Sequence, residues 1–362
     1  MTFFLFCGNI IIMKEIIKLL NENGYEAYVV GGFVRDYMLG VSSKDIDICT
    51  NASIDEIIRI FKGRGKAFKQ YFAYHIDEDG FSYDITTYRK ELKYKRNKPV
   101  EIEKAKDFGT DLLRRDFTIN TFAIDNQGLF VDMLGARKDF DNRLIKVVGD
   151  TNKKLTDDKT RIVRAIRFAC TLDFDLDPAI IEFIANKKGH LLNEVTKEYK
   201  RSELDKIFES DGIDKFFYIV KRYNLAKYFN IKFNKVVKTY NKYGVWAQIE
   251  AELPFSANEK NIISSIRTLV DKKDIKMSDL MLYSKDIIYN AASILNLEKK
   301  IRVFYELLDL HSIIDIDIDP NTLFKYVRPE DIKRVYRLVE KSIMEGYLLN
   351  KKSDIEEFIR NL

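Results

Sequence analysis

The sequence predicts an α+β protein, a small α/β head with a mixed sheet followed by an all-helical remainder, and three observations carry this. The 362 residues suffice for two or three packed units. Before Asp150, short stretches of period-two alternation are interleaved with helical patterns. Beyond it, apolar residues recur at helical spacing in DDKTRIVRAIRFACTL, AIIEFIANK and EYKRSELDKIFES, through to IEEFIRNL.

In the head, KEIIKLLNENG reads as a helix with Ile16, Ile17, Leu19 and Leu20 on one side and Gly24 as its stop. A short strand, Ala27 to Val30, is broken by Gly31-Gly32, and FVRDYML supplies one or two helical turns. VSSKDIDICT then alternates, with Ile46 and Ile48 facing opposite to Asp45 and Asp47, so the two carboxylates share a face. Ser53 and Glu56 form a capping box before IDEIIRIF, which Gly63 can terminate. YFAYHI and FSYDITTYR flank DEDG as a hairpin. Residues 89–107 include Arg89, Lys90, Lys93, Lys95, Arg96, Lys98 and Pro99 without a clear period, which predicts a basic, mobile loop. RRDFTINTFAID predicts a turn leading into a helix or strand, and Gly244 to Glu259 is a candidate boundary within the helical half.

Composition narrows the class of function. With 46% hydrophobic and 32% charged residues, the chain is neither a disordered polyelectrolyte nor a polytopic membrane protein. A formal charge of +5 is compatible with a phosphate-bearing partner without naming one. Cys7, Cys49 and Cys170 form no CxxC pair, which excludes a thiolate zinc site and predicts a reducing, cytoplasmic setting. His75, His190 and His311 lie far apart and are each expected to be structural or exposed. The apolar start MTFFLFCGNIIIM lacks a basic leading region and is too short to span a bilayer, so no membrane association or export is expected; either translation begins at Met13 or the segment is an extra strand or arm packed on the first domain.

Four clusters carry chemistry. GGFVRD places two glycines and Arg35 at a strand-to-helix turn, a cradle for phosphates, and ten residues after Arg35 begins Asp45-Ile46-Asp47, two hard carboxylates suited to Mg²⁺ on substrate phosphates. Either motif alone is as readily solvated surface; their joint spacing favours a site. Asp84 shares parity with Thr86 and Tyr88 and is either a third carboxylate beside the first two or an exposed strand residue. Arg114-Arg115-Asp116 with Asn120 sits among apolar residues, either as a nucleotide site or as a structural ion pair. Asp158 and Arg161, three apart on the expected helix, form either an i,i+3 pair or a base reader: one acceptor and one donor match the edges of cytosine and adenine and mismatch uracil and guanine.

GGFVRDYMLG, DIDI, RRDFTIN and RIVRAIRFA stand in the order and spacing of the class II tRNA nucleotidyltransferase and bacterial poly(A) polymerase family, which the chain resembles from about Ala27 to Leu204. EYKRSELDKIF resembles the helix that follows the family's nucleotide-selecting segment, and EGYLLNKKSDIEEFIRNL is similar to the end of bacterial CCA-adding enzymes. The resemblance implies a nucleotidyltransferase-type head at 13–150, a helical neck at 151–210 and a tRNA-binding body and tail at 211–362. It implies Gly32 and Arg35 at the triphosphate, Asp45 and Asp47 as Mg²⁺ ligands, Arg115 beside the nucleotide, and Asp158 and Arg161 as base selectors. Arg164 and Arg167 would support the selecting helix or touch the nucleotide, and Asp116 and Asn120 would serve the ribose and the local fold. Asp84 stands where the family commonly has Glu, as a third catalytic carboxylate. The implied reaction is addition of C, C and A to tRNA from CTP and ATP. Partial CC or A addition and polyadenylation are the alternatives within the family, and an inactive RNA-binding or nucleotide-sensing protein is the alternative outside enzymes. The oligomeric state is not legible.

Overall fold

The computed structural model describes residues 15–185, 188–307, 316–319 and 323–362; the expectations for the first twelve residues and for a start at Met13 lie outside them. Two compact units meet in sequence at Phe229 and Asn230, upstream of the boundary expected between Gly244 and Glu259. That stretch instead carries part of a helix, Lys242–Ala247, and a short strand, Glu250–Ala251.

The first unit opens with α1 (residues 15–22), β1 (Ala27–Val30), α2 (Gly32–Met38), β2 (Asp45–Thr50), α3 (Ile54–Phe61), β3 (Lys66–Phe68), β4 (Ala73–Glu78) and β5 (Phe81–Thr87). After β6 (Arg89–Lys95), β7 (Lys98–Lys104) and α4 (Phe108–Arg114), the short strands β8 (Ala123–Ile124) and β9 (Phe130–Val131) complete a seven-stranded sheet ordered β3-β4-β5-β2-β1-β8-β9. Only β2 and β5 pair in parallel, so the sheet is mixed, as expected.

Period two divides this sheet into a packed face and a chemical face. Val29, Ile46, Ile48, Tyr74, Ile76, Tyr83 and Ile85 are buried against Ile16, Ile17 and Leu20 of α1 and Ile57 and Phe61 of α3. Each such side chain contributes about 1.5–3 kcal/mol of burial. The alternate residues of β2, Asp45, Asp47 and Cys49, point the other way, where Cys49 joins Val30, Tyr88, Phe108 and Leu112 in a smaller core. Helix α3 starts on the expected capping box: Ser53 Oγ accepts the Glu56 N–H at 3.4 Å while the Ser53 N–H donates to Glu56 Oε2 at 2.7 Å. It ends with Lys62 and Gly63 both at positive φ, 45° and 79°.

The basic stretch after Arg89 is not a mobile loop. It folds as an antiparallel β6–β7 hairpin whose two-residue turn, Arg96-Asn97, has φ of 50° and 63°, the left-handed pair that a tight hairpin requires. Its alternation was hidden because the register shifts between Glu91 and Tyr94. The tip is anchored to the neck: Asn97 Nδ2 donates to the Glu194 carbonyl at 2.8 Å, and its Oδ1 accepts the Lys159 N–H at 3.0 Å.

Beyond α5 (Arg137–Asp141) and β10 (Leu144–Ile145), the neck consists of α6 (Thr151–Asp157), α7 (Thr160–Thr171), β11 (Asp175–Leu176), α8 (Pro178–Ala185), α9 (Lys197–Phe208) and α10 (Ile213–Arg222). The expected continuous DDKTR helix is broken at Asp158, which adopts φ −135°, ψ 100°. Among the described residues the remainder is helical and irregular apart from the strand pairs β10–β11 and β12–β13, the latter joining Ile231–Lys232 to Glu250–Ala251. In the second unit, Ile266, Leu269, Ile288, Ala291, Val335, Val339, Ile355 and Ile359 form one buried cluster. Among the described residues, no helix is long and apolar enough to cross a membrane.

Candidate active site

A cleft of about 560 Å³ in the first unit opens on the chemical face of the sheet, and Gly32, Arg35, Asp47, Arg115, Asp158, Arg161, Arg164 and Arg167 all line it. The strand, the glycine turn and the start of α7 therefore surround one space, although Asp47 and Arg161 are more than one hundred residues apart in the chain. Asp45 and Asp84 do not line the cleft but flank Asp47. Asp45 lies two residues earlier on the same face, and Asp84 is the direct register partner of Asp47 across β2 and β5.

Gly31 is more demanding than Gly32. With φ of 79°, it turns the chain into α2, and a Cβ there would sit 2.9 Å from Asp47 Oδ2 and 3.3 Å from Arg115 Nη1. At Gly32 a Cβ would meet only ordinary contacts. The close-approach requirement shows only once Asp47 and Arg115 are seen against the same backbone. Burial raises the Asp47 carboxyl above the usual range, Arg115 lowers it, and Asp84 and Asp45 raise it further. The Asp47 side chain itself stays exposed and lines the cleft, so a hard cation can reach it. No group of three or more His, Cys, Asp or Glu side chains among the described residues forms a self-sufficient metal site. Asp45 and Asp47, two carboxylates on one face of β2, are the donor type a hard divalent cation takes.

Arg114 and Arg115 are held from behind by Asp111, a fully buried carboxylate that sequence reading did not single out. It accepts Arg114 Nε at 2.8 Å, Arg115 Nη2 at 3.3 Å and the Arg89 backbone N–H at 3.1 Å. Burial alone would raise its pKa, yet the two arginines outweigh that and lower it. The Nε of Arg115 is buried without a hydrogen-bond partner.

A second network forms the floor. Arg35 donates from Nη1 to Asn120 Oδ1 at 2.6 Å and from Nε and Nη2 to Asp36 Oδ1 at 2.9 and 2.7 Å. Asn120 Nδ2 donates to Asp116 Oδ1 at 3.0 Å, and Asp116 Oδ2 accepts Arg164 Nε and Nη2 at 2.8 and 2.5 Å. Burial raises the Asp116 carboxyl, but Arg164 and the hydrogen bonds from Asn120 and the Phe117 N–H hold it well below the usual range. Arg167 donates from Nε to Glu203 Oε2 at 2.5 Å. Arg35, Arg164 and Arg167 also lie 4.8, 5.5 and 3.7 Å from the centre of the Phe168 ring. Asp116 and Asn120 thus tie α2 to α7, and Arg35 and Arg164 border the cleft with much of their donor capacity engaged.

Asp158 precedes α7 instead of lying within it. Its Oδ1 accepts the Thr160 N–H and hydroxyl at 3.0 and 2.5 Å, which leaves Oδ2 facing Arg161 Nε at 3.8 Å. Burial raises its pKa against the pull of Thr160 and Arg161. Arg161 donates to the Tyr94 hydroxyl at 2.8 Å and to the Lys154 carbonyl at 3.1 Å, and its guanidinium lies 5.3 Å from the Tyr94 ring centre. Tyr94, on the hairpin mistaken for a loop, is therefore part of the site. Another residue not foreseen, His75, pairs through Nδ1 with Asp84 Oδ1 at 2.8 Å, and that hydrogen bond raises its pKa. Seven arginines against four carboxylates line the cleft, a cationic balance matched to a triphosphate.

The chain is similar to known proteins in sequence and in fold. Residues 27–146 match the family described as Poly A polymerase head domain. The chain is 37% identical to the CCA-adding enzyme of Bacillus pumilus over 195 residues, which are 54% of this chain and 48% of that protein. It is 28% identical to the CCA-adding enzyme of Bacillus subtilis over 388 aligned positions, covering 95% of this chain and 96% of that one. In fold it is similar to the Bacillus stearothermophilus CCA-adding enzyme in complex with CTP, with TM-score 0.75, 20% identity and 96% coverage of both chains. It is also similar to the Thermotoga maritima CCA-adding enzyme complexed with tRNA, with TM-score 0.67, 20% identity, 96% of this chain and 94% of that one. Residues 27–146 thus carry the Poly A polymerase head domain, and along its length the chain is similar to CCA-adding enzymes.

Proposed function

We propose that this protein adds C, C and A to the 3′ end of tRNA from CTP and ATP without a nucleic-acid template, releasing pyrophosphate at each step. The observation that carries the reading is one cleft, of a volume suited to one nucleotide, lined by Asp47 together with Asp158 and Arg161. The relatives named CCA-adding enzyme, two of them solved with CTP and with tRNA, support it.

In this reading, the backbone turn at Gly31-Gly32 lets the phosphates approach closely, and Arg115, oriented by Asp111, neutralises their charge. Asp45 and Asp47 would hold Mg²⁺, which, when bound, lowers the pKa of the tRNA 3′-hydroxyl and stabilises charge on the departing pyrophosphate. Asp84, adjoining Asp47 in register, adds negative charge to that face and is itself oriented by His75. At the base, Asp158 Oδ2 accepts from the amino group of cytosine or adenine while Arg161 donates to the neighbouring ring nitrogen. Uracil and guanine present the opposite order and leave both groups without a partner, which is where discrimination is greatest. Tyr94 and the Lys154 carbonyl fix the Arg161 fork, and Arg164 and Arg167 support the helix that carries it.

We assign the catalytic head to 13–150, the selecting neck to 151–210 and tRNA binding to 211–362, where Lys232, Lys235, Lys238 and Lys242 supply phosphate contacts. The enzyme would act in the cytoplasm. Mixing it with Mg²⁺, a tRNA lacking its last three nucleotides and single labelled triphosphates tests the proposal. Sequential incorporation of C, C and A is expected. A added only to a CC end, CC alone, long A tracts or no product would each displace it.

A further inference from the structure

The second unit contains a ladder of three tyrosines that the cleft chemistry does not use. Tyr240 stacks on Tyr289 with ring centres 5.3 Å apart and planes 30° apart, and Tyr289 stacks on Tyr305 at 5.7 Å and 3°. Lys285 Nζ lies 5.8 and 5.5 Å from the centres of the two inner rings. Tyr289 and Tyr305 are half-buried, whereas Tyr240, at the end of the ladder, is 57% exposed.

An exposed aromatic ring is ordinary by itself. This one is held by buried polar groups on both sides. Thr239, immediately before it, is buried and donates from Oγ1 to the Asn241 carbonyl at 2.9 Å. Asn290, fully buried, accepts the Asn241 N–H at 3.1 Å and donates to Asn241 Oδ1 at 2.9 Å and to the Asp286 carbonyl at 2.8 Å. Gly244 completes the clamp, because a Cβ there would lie 2.4 Å from Asn290 Oδ1 and 2.5 Å from Thr239 Oγ1. Burying that many polar atoms is worthwhile only where each is satisfied, and the result is a fixed backbone on either side of one solvent-facing ring. The segment that carries it is basic: from Ile231 to Ile249 the chain has Lys232, Lys235, Lys238 and Lys242 and no Asp or Glu, although Lys232 pairs with Glu250 at 3.9 Å and Asp286 lies on the helix that carries Tyr289.

We infer that the open face of Tyr240 is a stacking platform for an unpaired nucleobase of the tRNA substrate. A rigid aromatic ring beside lysines is what single-stranded RNA recognises: the base stacks, the flanking phosphates meet the cations, and no sequence is read. Stacking on Tyr289 fixes the plane of the outer ring before RNA arrives, so the ordering cost is met in the free protein. The inference rests on tRNA being the substrate.

The test is the dissociation constant of the full-length protein for a tRNA transcript lacking CCA, measured by filter binding over a range of KCl concentrations. Tyr240→Ala is expected to weaken binding about tenfold with the slope against log salt unchanged, because stacking releases no counterions. Tyr240→Phe and Tyr240→Trp should bind within about threefold of the parent, since each keeps the π face. Tyr240→Ala binding within twofold of the parent would overturn the platform. So would Tyr240→Phe as weak as Tyr240→Ala, which would mean a hydroxyl contact, or a parent dimer dissociated by Tyr240→Ala, which would assign the face to a second copy of the chain. If the parent binds no tRNA, the proposed function fails as well; if it binds normally and Tyr240→Ala matches it, only the stacking inference fails.

Discussion

Asp158 shows how a single side chain departs from its expected setting and still lines the cleft beside Arg161. It lies in the bend before α7, so Thr160 takes one carboxylate oxygen and leaves the other toward Arg161. Asp158→Ala should therefore bring kcat/KM for CTP and UTP together while triphosphate affinity, which rests on Arg115 and the glycine turn, changes little. Competition between labelled CTP and UTP reads this, and an unchanged preference would reject the selector role. Asp47→Ala should abolish incorporation with the far-ultraviolet circular dichroism of the parent retained, because the side chain faces the cleft and not the packed side of the sheet. Turnover surviving at ordinary Mg²⁺ would remove Asp47 from the metal site. Asp47, Asp158 and Arg161 were legible as residues because carboxylate and guanidinium chemistry is intrinsic to a side chain. Asp111, Tyr94 and His75 were not, and Gly31 was legible only as one of a glycine pair, since each acts through a neighbour brought close by the fold.

At the scale of elements, the capping box of α3 was fully legible, because all its partners lie within four residues. Hydrogen bonds from the Ser53 backbone N–H and hydroxyl, with a further one from Tyr25, hold Glu56 at about 2, below its ordinary value. Its folded-state pKa is depressed, so its stabilising contribution is complete above the ordinary glutamate range and is lost as pH falls from there toward 2. The melting temperature of Glu56→Gln should consequently fall less steeply than that of the parent between about pH 5 and pH 3. Parallel curves would show that the cap carries no proton linkage. Lys154 makes a different kind of connection. Its ammonium, lowered to about 8 by burial and by Arg161, donates to the Leu113 and Arg115 carbonyls at 2.6 and 3.0 Å, while its own carbonyl receives Arg161. Helix α6 thereby links the backbone at Arg115 to the Arg161 guanidinium. Lys154→Met would leave two carbonyls without that donor and should lower kcat/KM for CTP roughly tenfold or more. Lys154→Arg should recover part of the loss; equal activity in all three proteins would exclude the coupling. The β6–β7 hairpin was misread at this scale because its register shifts break the alternation and its exposed face is charged, as in the Lys90–Glu103 pair across the strands.

Over the whole molecule, every residue that lines the cleft lies in the unit that ends at Phe229. A fragment of residues 1–229 should then bind CTP with an affinity close to that of the complete chain, measured by isothermal titration. A fragment that folds by circular dichroism but shows no CTP binding would mean that the second unit completes the nucleotide site. The α+β class, most head elements, the order of the motifs and the identity of the charged residues are determined by the sequence itself, through side-chain periodicity and caps that operate within a few residues. The tertiary structure alone decided that Asp47 and Asp84 share a register, that the hairpin tip is pinned to the neck, and that Arg115 and Arg161 border one space. Those outcomes depend on strand pairing and helix packing between segments far apart in the chain, and no local pattern encodes the distance across a cleft.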